Sequence, residues 1–300
     1  MKKCKISILL HIIFIGFLLN NNTFSRNSYS VDKLLVLVNT NNVEGLKTAI
    51  KDNANINQKY SVQVDGGEIT GRTLLMAATE NGYPDIVKLL INAGAEIEDK
   101  DNQGFTALHY ASEFKQIEIV KILIKAGANV NTANNVNETP LMNAVQRNSF
   151  EIVKLLIKAN ANINHLNNLG NNALMEALNH NENVEMITFL INNNSNVNVR
   201  NAFNGGTSLH LANDKPFEIL KLLIDKGANV NSINNSGESP LSLACFSGYI
   251  DKIKLFLAKG ANINIQNNDG DTPLIWAVKG KKAEVVRVLI KSGANMNIKN

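Results

Sequence analysis

The chain has 300 residues, of which 44% are hydrophobic, 19% charged and only 6% aromatic, with a formal charge of +4. Lys2, Lys3 and Lys5 stand at the extreme N-terminus with no acid beside them, so the chain beyond residue 25 carries only about +1. That excludes a strongly electrostatic nucleic-acid binder. Of the two cysteines, Cys4 lies in the same N-terminal segment, which leaves Cys245 alone and excludes an intramolecular disulfide in the remainder.

The N-terminal segment reads as a unit of its own. Met1–Lys5 is basic, Ile6–Leu19 is apolar apart from Ser7, His11 and Gly16, and Asn20–Asn22 is polar. An apolar run of 14 residues falls short of the roughly 20 that a bilayer span takes and suits a secretory signal instead. Thr23-Phe24-Ser25 offers small residues to a peptidase, which places the signal at 1–25 and a short linker at 26–30. An uncleaved anchor is the competing reading; with cleavage, no stable membrane insertion is expected. Export to the periplasm, the cell envelope or the medium follows. Cys4 precedes the apolar run and is not placed for lipid attachment.

From residue 31 one phrase returns with a fixed period. A degenerate copy at Asn53–Asn57 is followed by copies opening at Gly94, Gly127, Asn160, Asn194, Gly227, Gly260 and Gly293. The steps Gly94–Gly127–Asn160 and Gly227–Gly260–Gly293 are 33 residues each. A second phrase precedes each ending, as in Thr106-Ala-Leu-His109, Thr139-Pro140-Leu, Thr207-Ser-Leu-His210, Ser239-Pro240-Leu and Thr272-Pro273-Leu. Thr or Ser followed by Pro predicts a helix start, since the hydroxyl caps free N–H groups and proline needs no donor in the first turn. About ten residues later a broader apolar run, such as Ile119–Ile124 or Ile152–Ile157, predicts a second helix held between neighbours. Each second helix stops at Gly or Asn, the residues most at ease in the left-handed conformation. The Asn-x-Asn that follows suits a turn.

Written with T-P-L-H-x-A and G-A-N-V-N at a period of 33, this pattern resembles the ankyrin repeat over roughly residues 31–300. The resemblance implies an all-α solenoid of stacked helix-turn-helix units with hairpin-like loops. The expected organisation is an N-terminal cap repeat with an extended loop at 31–70, then seven repeats at about 71–103, 104–136, 137–169, 170–204, 205–236, 237–269 and 270–300. Two repeats depart from the period: one has an extra residue near Asn181 and another near Ala202, and the next lacks one near Lys215-Pro216. Local deviation is expected there. The extended loop through Gln58–Gly67 is expected to be either a contact arm or a mobile loop. Asparagine, isoleucine and lysine are abundant, a bias that resembles coding by an AT-rich bacterial genome.

Covalent chemistry has little to work with. His109 and His210 fall on the histidine of the first-helix phrase, where the resemblance implies hydrogen bonding between repeats. His165 and His180 have no carboxylate or cysteine at metal-ligand spacing, and no phosphate loop or nucleophile elbow is present. Asp99/Asp101 and Asp269/Asp271 lack the full calcium-loop pattern and read as solvated turn residues. Cys245 reads as a small core residue. No catalytic residue, metal or cofactor is expected, and an enzyme would need a site of unfamiliar form.

The resemblance implies a non-enzymatic protein-binding module that uses its concave face and loop tips. The positions it points to are the residues closing each first helix and the loop residue after the phrase-opening Gly, the latter including Arg72, Phe105 and Glu138. Candidate partner-binding residues are Phe105, Phe114, Arg147, His180, Phe203, Phe246 and Lys279, because aromatic and arginine side chains anchor interfaces. For each phenylalanine, packing against a neighbouring repeat stands beside binding. The partner is another protein, met as an envelope adaptor or, alternatively, as a secreted effector on a host protein. The last repeat keeps an apolar second helix flanked by Lys279, Lys281, Lys282, Arg287 and Lys291. It is expected either to be capped by these basic residues or to dock a partner or a second copy.

Overall fold

A computed structural model describes residues 29–65, 67–180 and 183–300. The expected signal at 1–25 and the extra residue near Asn181 lie outside the described residues. Those described form sixteen helices and one small sheet. In chain order they are α1 (Val31–Asn39), α2 (Val43–Lys51), β1 (Lys59–Val64), β2 (Gly67–Thr73), α3 (Leu74–Asn81), α4 (Pro84–Asn92), α5 (Ala107–Glu113) and α6 (Ile117–Lys125). Then come α7 (Pro140–Gln146), α8 (Phe150–Lys158), α9 (Ala173–His180), α10 (Val184–Asn192), α11 (Ser208–Leu211), α12 (Phe217–Asp225), α13 (Pro240–Ser247), α14 (Ile250–Ala258), α15 (Pro273–Lys279) and α16 (Ala283–Lys291). The chain divides into two compact units, one of residues up to 135 with 154–160 and one of 136–153 with 161–300.

The helix boundaries follow from the predicted chemistry. Thr73, Ser239 and Thr272 accept from the backbone N–H three residues on, and Pro140, Pro240 and Pro273 fill the first helical position. At α5 and α11 a histidine completes the cap: the Thr106 N–H donates to His109 Nδ1 and the Thr207 N–H to His210 Nδ1, both at 3.1 Å. At the other end, Gly127 and Gly260 have φ of 90° and 81°, and Asn160 and Asn194 reach 65° and 64°. The stop is the same whether the residue is Gly or Asn, because both tolerate the left-handed region.

Within each unit the core is a file of aliphatic side chains between consecutive helix pairs. In the first unit Leu34, Leu46, Leu74, Ile86, Leu90, Leu108, Ile119 and Leu123 are buried. In the second, Leu141, Ile152, Leu174, Ile187, Leu190, Leu209, Leu220, Leu223, Ile253 and Phe256 continue the pattern. Each fully buried aliphatic side chain contributes about 2 kcal/mol of hydrophobic stabilisation. Cys245 is fully buried among them, and burial pushes its thiol up to about 12, so it packs as a small hydrophobe.

The long first loop is a folded arm. β1 and β2 pair antiparallel from Lys59 opposite Thr73 to Val64 opposite Gly67, with a bulge between Tyr60 and Val62. β2 runs through the boundary expected at 70/71. The hairpin is tied to the next loop: the Asn102 N–H donates to Thr70 O at 3.0 Å, and the Thr70 N–H donates to Asn102 Oδ1 at 3.1 Å.

The short repeat deviates where a residue is missing. α11 has only four residues, and the Lys252 ammonium from α14 donates to the carbonyls of Asn213 and Lys215 beyond its end. It also lies 4.5 Å from the Tyr249 ring centroid. Burial lowers the Lys252 pKa, and the carbonyls and ring supply compensating electron density.

The Asn-x-Asn turns have a second use. The first Asn closes a local turn, as when Asn229 Oδ1 accepts from the Asn231 N–H at 2.9 Å. The second reaches the following repeat. Asn198 donates to Gly227 O and accepts from the Asn229 N–H, and Asn231 does the same with Gly260 O and the Asn262 N–H. In the first unit Asn57 makes the same pair with Gly94 O and the Glu96 N–H, while Glu98 fills this slot in the next repeat, its carboxylate accepting from the Asn129 N–H and the Thr132 hydroxyl.

Candidate partner-binding surfaces

In three repeats the residue after the phrase-opening Gly or Asn and the residue eight further on, near the end of the first helix, touch each other. Arg72 pairs with Glu80 and Lys279 with Asp271, while Gln146 Nε2 donates to Glu138 Oε1 at 2.8 Å. Both positions were expected to face a partner independently. The geometry instead couples them, since one turn of loop and two turns of helix bring the second back over the first.

In the first unit the surface is an aromatic cluster closed over a cation. Arg72 is buried, with its guanidinium 4.8 Å from the Tyr110 ring centroid and 5.8 Å from that of Tyr60. Its expected role as an exposed loop contact is corrected. Residues of the hairpin and of α5 cover it, and it serves to pin β2 against α3 and α5. Burial pushes the Tyr60 hydroxyl up to about 12, and burial, with the Asp101 hydrogen bond, raises that of Tyr110 further. Tyr110 donates to Asp101 Oδ2 at 2.6 Å, while Asp101 Oδ1 accepts from the N–H groups of Gln103 and Phe105. Asp101 is thus a buried loop brace and not a solvated turn residue.

Phe105 packs on His109 and Tyr110, with ring centroids 5.4 and 5.6 Å away, and is half-buried. These contacts lie within its own repeat. Phe114 stacks on Tyr110 at 6.3 Å and remains 43% exposed.

In the second unit the equivalent surface is polar and then aromatic. Glu176 is buried, yet both its oxygens are satisfied. Oε1 accepts from the amides of Asn167 and Asn171 at 2.9 Å each, and Oε2 accepts from Gln146 at 3.1 Å with His180 Nε2 at 3.3 Å. His180, read from the sequence as having no carboxylate at ligand spacing, is corrected by Glu176 four residues before it; it is exposed on this network, and Arg147 is exposed at the end of α7. His210 Nε2 contacts Glu238 O of the next repeat at 3.0 Å, the inter-repeat use that the resemblance implied. Burial lowers the His210 pKa, more than the Glu238 carbonyl restores it.

Further along, Phe246 meets Trp276 edge-on at 5.5 Å and is 47% exposed. Lys279 is half exposed above Asp271, whose carboxylate is buried and also accepts from Asn300 at 3.0 Å. Asp271, like Asp101, is therefore corrected from a solvated turn residue to a buried brace. Phe203 stands at a loop tip, 86% exposed. Sequence reasoning missed Tyr110, Glu176 and Trp276, which lie behind the exposed residues and hold them. Their shared place in the repeat, always the residue before the helix alanine, was the available signal.

No helix among the described residues is long and apolar enough to cross a membrane. A family model described as "Ankyrin repeats (3 copies)" matches residues 34–134, 126–201, 179–267 and 209–300. No curated protein matches the chain.

Proposed function

This chain belongs to the ankyrin-repeat family, whose repeats are protein–protein interaction modules, and on that premise we propose that it is an exported adaptor that binds a partner protein through its first-helix ends and loop tips. The observation that supports this reading most is the pair of large aromatic side chains, Phe114 and Phe246, each half exposed yet backed by a second ring. A ring already held in place loses little rotamer freedom on binding, so burying it yields more net affinity than burying a free side chain. Within the second unit, Arg147, His180, Phe203 and Lys279 add contacts to those of Phe246.

Export rests on the basic start and apolar run of residues 1–19. An envelope adaptor and a secreted effector share the same binding chemistry and differ in where the chain ends up. Fractionation of the native cell separates them, with retention in the envelope supporting the adaptor and release supporting the effector.

The binding reading is tested by affinity capture from native envelope extract with the wild-type chain and with a Phe114→Ala/Arg147→Ala/Phe246→Ala variant in parallel. One protein retained by the first bait and lost from the second is the expected result. Equal capture by both baits would move the site away from the helix ends.

A further inference from the structure

The sequence holds two Asn-Gly pairs, Asn81-Gly82 and Asn204-Gly205. In such a pair the backbone nitrogen of the glycine can attack the side-chain amide carbon of the asparagine, because no β-carbon on the glycine shields that nitrogen. Asn81 is placed against this reaction. It ends α3, where a side chain leans toward the helix N-terminus and away from the next nitrogen. Its amide donates to Asn39 Oδ1 at 2.9 Å, and the Gly82 N–H donates to Thr79 O at 3.1 Å.

Asn204 is placed for it. The residue is exposed at a loop tip, and its Oδ1 accepts from the Gly206 N–H at 2.9 Å. This bond turns the amide forward along the chain, past the Gly205 nitrogen, and polarises its carbonyl as a donor does for an oxygen about to gain charge. The Arg200 guanidinium lies over the glycine, where a β-carbon on Gly205 would stand 2.7 Å from its Nη2. A cation at that place favours loss of the proton from the Gly205 nitrogen. Gly205 is buried and its N–H donates to Asn201 O at 3.1 Å, which opposes the step. Opening one such bond at a surface loop costs little beside the barrier to the covalent step.

We propose that Asn204 is a self-modification site, at which the folded chain converts its own side-chain amide into a carboxylate. The Gly205 nitrogen gives its proton to hydroxide and attacks Asn204 Cγ. As the new N–C bond forms, the C–Nδ2 bond breaks, and the leaving nitrogen takes a proton from water and departs as ammonia, which regenerates the hydroxide. The resulting cyclic imide then adds water at one of its two carbonyls, with nothing oxidised or reduced. Opening at Cγ gives aspartate, and opening at the main-chain carbonyl gives isoaspartate. Either product puts a negative charge within reach of Arg200 and next to Phe203, the most exposed large hydrophobic among the described residues. In isoaspartate the oxygen that accepts from the Asn235 N–H at 2.7 Å, a rung to the next repeat, becomes part of the free carboxylate. The reaction belongs to the loop itself and holds whatever Phe203 meets.

The test incubates the full chain at neutral and at mildly alkaline pH and follows both Asn-Gly peptides by mass spectrometry. Loss of ammonia and then gain of water mark the imide and its opening, and synthetic peptides calibrate the retention of aspartate and isoaspartate. In the folded chain Asn204 should convert at least about tenfold faster than Asn81, and faster at the higher pH. In urea, where both pairs are unfolded, that preference should disappear. Arg200→Gln should slow Asn204 several-fold and leave Asn81 unchanged, and Arg200→Lys, which keeps the charge, should restore most of the rate. Both variants should keep the wild-type unfolding transition, since Arg200 is exposed. An amide retained at Asn204, equal conversion of the two asparagines in the folded chain, a preference that persists in urea, or indifference to Arg200→Gln would each overturn the proposal.

Discussion

Tyr110 in the first unit and Glu176 in the second hold the same place in their repeats, and each bonds a loop residue nine positions earlier. Tyr110 donates to the Asp101 carboxylate, whereas Glu176 accepts from the Asn167 amide. The acid lies in the loop in one repeat and on the helix in the other, so donor and acceptor have changed sides while the bond is kept. In both cases the same loop oxygen, Asp101 Oδ1 or Asn167 Oδ1, accepts from backbone N–H groups two and four residues on. The repeat therefore needs a loop oxygen at this slot for its own turn. The chemistry above it is free to differ, and that freedom gives one repeat an aromatic surface and the other a polar one.

Removing the helix acid should break the comparison most severely. Glu176→Ala leaves the buried amides of Asn167 and Asn171 without an acceptor, and each orphaned group costs about 1–3 kcal/mol. The expected loss is about 3 kcal/mol in urea unfolding, with a fall in the denaturant midpoint and no change in slope. A loss below about 1 kcal/mol would show that the site relaxes or admits water and that the carboxylate is not the centre of this network.

The loops that carry Asp101 and Asn167 share a glycine whose replacement meets backbone. A β-carbon on Gly104 would lie 2.8 Å from the Asn135 N, and one on Gly170 would lie 2.9 Å from the Ala202 N, both at positive φ. At Gly127 and Gly260 φ is also positive, yet nothing stands within 4 Å. Gly104→Ala and Gly170→Ala should then cost about 2–3 kcal/mol, against about 1 kcal/mol for Gly127→Ala or Gly260→Ala, where only the left-handed strain operates. Gly127→Val and Gly260→Val should cost more than their alanine counterparts, because a β-branched side chain is worse placed at positive φ. Thermal unfolding of the four alanine variants checks the order, and equal costs would remove the close approach as a cause.

The fold was legible because its signals are local and repeated. Thr-Pro, the broad apolar run and the Gly or Asn stop each act within a few residues, and repetition at a fixed period averages out departures such as Asn160. The surfaces were less legible, because they depend on which side chains meet across a loop. Asp101 and Asp271 look solvated in a sequence of turns, and only the returning helix shows that each is buried under a donor. The eight-residue spacing of Arg72 with Glu80 and of Asp271 with Lys279 was present as opposite charges at one interval. The hairpin had no such help, since β1 and β2 occur once and only β1, Lys59–Val64, alternates polar with apolar residues, whereas β2 does not. The asparagine bias, read as composition alone, concealed the rungs made by Asn198 and Asn231.

A milder change acts on the first unit alone. Tyr110→Phe removes the donor to Asp101 Oδ2 and keeps the ring under Arg72 and beside Phe114. The carboxylate retains its two backbone donors, so the cost should be about 1 kcal/mol, well below that of Glu176→Ala. A larger loss would indicate that the hydroxyl also sets the position of the stacked ring.

Asp101→Asn should do least, and it tests the exchange of sides directly. Asn occupies this slot in the loops at 167, 234 and 267, where its oxygen accepts the same two backbone N–H groups. The substituted amide can donate to the Tyr110 oxygen, which a hydroxyl accepts as readily as it donates. The bond would then run in the direction seen between Asn167 and Glu176. The expected change is under about 0.5 kcal/mol in urea unfolding, with Asp101→Ala costing several times more because the turn loses its oxygen. If Asp101→Asn were as costly as Asp101→Ala, the negative charge itself would be the requirement in this loop. The two repeats would then be separate solutions, and their likeness in geometry would not reflect an interchangeable bond.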